Sequence, residues 1–145
     1  MSKLLQFNFE RIGEGAPSGF DLGDIELCSG GSCISSKRNE GLRVMIYLSI
    51  VGLVDSLLML RKRKKVEFVS VDSSFSFFLY WAGGRVCISS KGIVIGPFEF
   101  LEVLRSFEMG VVRFISDGNG LAEDDAVFHD FDGAMSDLSM TIDRG

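Results

Sequence analysis

Cys28, Cys33, Cys87 and His129 are the side chains of this sequence best suited to metal or thiol chemistry. Three thiolates and an imidazole make a nominal zinc set, since zinc takes four sulfur or nitrogen ligands at tetrahedral corners. Their spacing argues otherwise. Cys28 and Cys33 bracket Ser29-Gly30-Gly31-Ser32 as facing residues of a tight hairpin, no second closely spaced ligand pair follows, and His129 stands alone in an acidic stretch. Cysteine more often serves as a small buried apolar residue. A Cys28–Cys33 cross-strand bond fits hairpin geometry. Against it, the cysteines are odd in number and the start of the chain, MSKLLQFNFE, lacks the pattern of a secretory leader. Both features argue for a reducing, cytoplasmic setting without a disulfide framework. The expectation is a chain without metal or cofactor.

Other chemistries find no complete set. An activated serine needs a base within hydrogen-bond reach. Ser73, Ser74, Ser76, Ser89 and Ser90 are plentiful, yet His129 is the one imidazole and no G-x-S-x-G elbow occurs. Asp117-Gly118-Asn119-Gly120 opens like a calcium loop, but Leu121 and Ala122 stand where an oxygen ligand and a glycine are required. It reads as a turn between helices. Gly83-Gly84 leads from one strand into another, so it cradles no phosphate. Arg61–Lys65 is the one basic cluster; without interleaved aromatics, in a chain of net charge −5, it reads as a solvated helix end and not a nucleic-acid surface. No enzyme is expected.

The elements that must position these residues follow from pattern. The 145 residues, 46% of them hydrophobic, suit a single domain over 1–145 with a true core. Lys3–Arg11 alternates Leu5, Phe7 and Phe9 against Gln6, Asn8 and Glu10, the period of a half-buried strand. Gly13–Gly19 is a loop. Asp24–Cys28 and Cys33–Ser35 form a hairpin about the Gly-Gly pair, with Ser29 facing Ser32 and Cys28 facing Cys33. Val66–Val71, Ser74–Trp81, Arg85–Ser89 and Ile93–Ile95 are strands in hairpin succession, the first two joined at Asp72-Ser73. The pentapeptide CISSK, at Cys33–Lys37 and Cys87–Lys91, closes each Gly-Gly hairpin, as a trace of duplication or as two similar edge strands.

Leu42–Leu60 is the first helix. Nineteen mostly apolar residues before a basic run fit either a membrane span or a buried helix. The polar stripe Ser49, Gly52, Asp55 and Ser56 favours the buried helix, as does the cost of an Asp in a bilayer, ~3 kcal/mol near its centre. Pro97 suits a first helical position, and Phe98 to Ile115 continues an amphipathic helix weakened at Gly110. A last helix carries Val127, Phe128, Phe131, Met135 and Leu138. The segments are thus 1–41 (strand and hairpin), 42–65 (helix), 66–96 (β-meander) and 97–145 (two helices). The fold class expected is α+β: an antiparallel β-meander of about five to six strands with about three helices packed mainly on one face.

Charge is unevenly spread. Residues 117–145 carry −7 and residues 1–116 carry +2. Asp124, Asp125, Asp130, Asp132 and Asp137 are expected to form one acidic face of the last helix, with Phe128 and His129 at its margin, suited to steering a basic partner. A solubilising surface is the plainer alternative.

Ser49–Leu60 (SIVGLVDSLLML), Val71–Phe78 (VDSSFSFF), Pro97–Leu104 (PFEFLEVL) and Glu123–Leu138 (EDDAVFHDFDGAMSDL) lie in the last two-thirds of the chain. In these pieces the chain resembles the small acidic immunity proteins of bacterial polymorphic-toxin and contact-dependent growth inhibition systems. The resemblance implies a cytoplasmic antidote that binds the C-terminal domain of a delivered toxin, such as a basic nuclease, and occludes its active site without catalysis of its own. A membrane-associated protein held by Leu42–Leu60 and a structural adaptor remain the alternatives. Trp81 and the Phe-rich strands would suit a homo-oligomer or the core equally well.

Overall fold

In the computed structural model, which describes residues 4–145, the chain is α+β with antiparallel sheets and three α-helices. The alternation expected over Lys3–Arg11 is strand β1, Gln6–Arg11, with Phe7 and Phe9 buried; Lys3 lies outside the described residues. β1 pairs with β2 (Leu22–Ser29), which pairs with β3 (Ser32–Ser35) and, at its other end, with the short β4 (Val44–Met45). The register sets Ser29 against Ser32 and Cys28 against Cys33. Gly30 and Gly31 turn the hairpin with φ of 58° and 84°, values that favour glycine at both positions of a two-residue turn.

One meander of about five to six strands was the expectation from hairpin succession; the strands instead divide into two four-stranded sheets. The second is β5 (Lys65–Val69), β6 (Ser76–Ala82), β7 (Arg85–Ser90) and β8 (Ile93–Phe98), in sequence order. The two sheets meet where β3 and β2 pass β8. The division follows from α1 (Ile46–Met59), which interrupts the run of strands and is buried against both β5 and β2. α1 starts later than Leu42, because Val44 and Met45 extend to pair with Gly23 and Leu22. Its first amide, from Ile46, donates to the carbonyl of Asp21, so a backbone contact replaces a side-chain cap.

The polar stripe of α1 now has a role at its buried end. Ser49 is fully buried and its Oγ accepts the amide of Val71 at 3.0 Å, while Asp55 is exposed. Ile46, Ile50, Leu53 and Leu57 are fully buried, each contributing roughly 1.5–3 kcal/mol relative to exposure. No helix among the described residues is long and apolar enough to cross a membrane. At ~1.5 Å per residue α1 is about 21 Å long, short of a hydrocarbon core of about 30 Å.

Two further expectations are corrected. Pro97 does not open a helix: it lies within β8 after a cis peptide bond, and α2 runs Phe100–Phe114. Cys28 and Cys33 are joined as a disulfide, where the odd cysteine number had argued for free thiols; Cys87 is the buried free thiol on β7. α2 lies across β1, and Gly110 marks the closest approach. A Cβ there would stand 2.5 Å from the carbonyl oxygen of Phe7, so the glycine that weakens the helix is what lets it reach the sheet. α3 (Phe128–Asp143) packs on α1 and α2.

Candidate groove between the last two helices

α2 buries Val103, Leu104, Phe107, Val111 and Phe114 toward β1 and the core, at the three- and four-residue spacing of one helical face. α3 buries Phe131, Ala134, Leu138 and Ile142. Two such helices, packed side by side, leave a trough where their buried faces turn outward. That trough is a groove of about 380 Å³, floored by Val111, Val112, Ile115, Phe128, Phe131 and Met135. Glu108 of α2 and Asp132 of α3 also line it. Ser139 Oγ donates a 2.7 Å hydrogen bond to Glu108 Oε2 and ties the helices together at one end. Val112 is 55% exposed, which makes it the most open apolar side chain of the floor. Chemically the groove offers apolar contact inside and two carboxylates at the edge, a seat for an apolar anchor flanked by cations.

The other end of the groove, at Gly120 and Leu121, is set by a hydrogen-bond hub. The chain leaves α2 through a π-type turn, Ile115–Asn119, kinked at Gly118. Asn119 then binds three ways. Its Oδ1 accepts Arg11 Nε at 3.1 Å, its Nδ2 donates to the carbonyl of Phe114 at 2.9 Å, and its own carbonyl accepts the Tyr47 hydroxyl at 2.6 Å. Arg11 also pairs with Asp21 at 3.2 Å and donates to the Gly15 carbonyl at 2.9 Å, so one guanidinium holds the Gly13–Gly19 loop and the α2–α3 turn together. Burial pushes the Tyr47 phenol up to about 12; the nearby Arg11 charge works in the opposite direction. The Asp117–Gly120 stretch is therefore the turn between helices that its sequence suggested.

The structure separates the residues expected to form one acidic face. Asp124 and Asp125 precede α3 instead of lying on it. Asp124 is exposed. Asp125 is half-buried and both its carboxylate oxygens are engaged, Oδ2 by the amide of Gly19 at 3.0 Å and Oδ1 by the amide of Val127 at 2.9 Å. It serves as an internal clasp between the first loop and the start of α3. On α3 itself, a step of ~100° per residue puts Asp130 and Asp137 on one flank and Asp132 roughly 160° from Asp130, on the groove side. Exposed His129 lies between the flanks, its ring edge-on to Phe128 at 5.5 Å. Of the expected contact set, Phe128 and Asp132 therefore line the groove.

Glu108, Val112 and Met135 escaped the sequence reading as site residues. The exposed apolar Val112, out of phase with the buried face of α2, was the one signal that could have marked them. The nominal set of three thiols and an imidazole is not brought together. Cys87 faces Tyr80 in the β6–β7 ladder and His129 is on α3. Among the described residues the one grouping with metal-ligand spacing is Glu26, Cys28 and Cys33, whose ligand atoms lie within 4.8 Å of one another. Comparisons with protein-family models, with curated proteins and with solved structures return no match to this chain.

Proposed function

We propose that this protein acts by binding, as an immunity-type antidote that seats part of a basic toxin domain in the α2–α3 groove. The observation that carries this reading is an apolar trough lined by one carboxylate from each helix, Glu108 of α2 and Asp132 of α3, the latter within residues 117–145 of charge −7. An apolar side chain of the partner would fill the space over Val112 and Met135, and flanking lysines or arginines would meet the acidic edges. Apolar burial supplies the affinity of such contacts, and complementary charge supplies orientation and association rate. The resemblance of residues 49–138 in pieces to immunity proteins points to the same class of partner, the C-terminal domain of a delivered toxin.

The test is to co-express the chain with the C-terminal domain of a large secreted reading frame encoded directly upstream. A complex on size exclusion, a calorimetric Kd below micromolar and restored growth of cells expressing that domain are the expected results. Failure to form the complex with a folded, toxic domain overturns the reading. A complex of unchanged affinity when Val112→Glu is introduced keeps the antidote role but removes the groove.

A further inference from the structure

We propose that the outer face of the first sheet is a thiol-gated zinc site, with Cys28 and Cys33 as thiolate ligands and Glu26 as the third. Alternate residues of a strand share a face, so Glu26 and Cys28 stand side by side on β2, and Cys33 faces Cys28 from β3. The ligand atoms of all three lie within 4.8 Å of one another; Cys33 is exposed, and Cys28 and Glu26 are half-buried, so solvent reaches the set. Zinc–thiolate bonds of ~2.3 Å at tetrahedral corners place two sulfurs about 3.8 Å apart. Side-chain rotation at facing residues with a Cα–Cα distance of 4.2 Å reaches that separation without moving the strands. Gln6 pairs with Cys28 from β1, and three protein ligands would leave a fourth position for water or a further ligand.

The disulfide and the metal are alternative states of the same pair. A cellular dithiol supplies two electrons and two protons: its own sulfurs become a disulfide, the Cys28–Cys33 bond breaks, and two thiols result. Zinc binding then releases those two protons to solvent. The bond itself is a poor candidate for a purely structural staple. It spans a separation of 5 residues, where loop-entropy stabilisation is smallest, and the β1–β2 and β2–β3 ladders already hold this register. Glu26 enters no ion pair among the described residues, which leaves its carboxylate available to a cation.

Cobalt(II) titration of the whole chain tests this, because cobalt–thiolate bonds absorb in the near ultraviolet. The chain reduced with a phosphine should bind one equivalent of Co²⁺ with that absorption, and Zn²⁺ should abolish it by displacement. The oxidised chain should show none. Cys33→Ser should remove the absorption, Glu26→Gln should weaken binding by at least about tenfold, and Cys87→Ser should leave it intact. A reduced chain with native circular dichroism and no cobalt–thiolate band overturns the proposal, as does a band that survives in Cys33→Ser. Full affinity in Glu26→Gln removes the carboxylate and the three-ligand site with it.

Discussion

The hydroxyl of Tyr47 donates a 2.6 Å hydrogen bond to the carbonyl oxygen of Asn119, 72 residues further along the chain. The Tyr47 ring is buried, 5.4 Å from that of Phe114 and 5.7 Å from that of Phe131. A buried phenol needs one polar partner, and the partner it takes is the turn that leads α2 toward α3. The first helix is therefore tied to the turn that closes one end of the groove.

Tyr47→Phe should lower unfolding stability by about 1–2 kcal/mol, because it leaves the Asn119 carbonyl short of a donor while keeping the ring. The wild-type protein should also lose stability as pH rises above about 10. Its folded phenol titrates at about 12, above the unfolded value, so between those values the unfolded chain has lost a proton that the folded chain keeps. Urea unfolding from pH 8 to 12 checks both points, and the alkaline slope should be shallower in Tyr47→Phe.

Gly110→Ala should destabilise the fold by roughly 1–3 kcal/mol, although alanine is the better helix former. Its methyl would meet the carbonyl oxygen of Phe7 at 2.5 Å and force α2 away from β1. A thermal melt decides the matter: an unchanged or raised Tm would mean that the helix–strand contact yields at no cost.

Asp125→Ala should cost about 1–2 kcal/mol, since the amides of Gly19 and Val127 both lose an acceptor. Asp124→Ala, at an exposed neighbouring position, should change stability by less than about 0.5 kcal/mol. Chemical denaturation of the two variants side by side separates a structural carboxylate from a surface one.

Partner binding should distinguish the two flanks of α3. Reversal of the groove-edge charges, Glu108→Lys with Asp132→Lys, should slow association with a basic toxin domain at least tenfold at low salt and flatten its salt dependence. Asp130→Lys with Asp137→Lys, on the far flank, should have the smaller effect. Stopped-flow association across a salt series reads both, and the reverse order of effects would move the contact surface off the groove.

Local pattern was sufficient for much of this molecule. The two-residue period of Phe7 and Phe9, the Gly-Gly turn that sets Cys28 against Cys33, and the apolar spacing of α2 and α3 are properties of neighbouring residues, and each is found in the fold. The starts of the helices were less legible because long-range pairing sets them. Val44 and Met45 are apolar enough to join α1, but β2 takes them as a strand. Pro97 could begin a helix, but β7 holds its segment in a ladder.

Composition and order along the chain determined that this protein has a large apolar core, antiparallel hairpins, three helices and an acidic end, because those properties follow from residue type and from separations of a few positions. Tertiary structure alone decided that α1 would divide the strands into two sheets, and that Asp125 would turn inward while Asp132 faced a groove. The reason is physical: a side chain's partners across the fold depend on how whole elements pack, and that packing minimises the free energy of the entire core instead of satisfying any one segment's pattern.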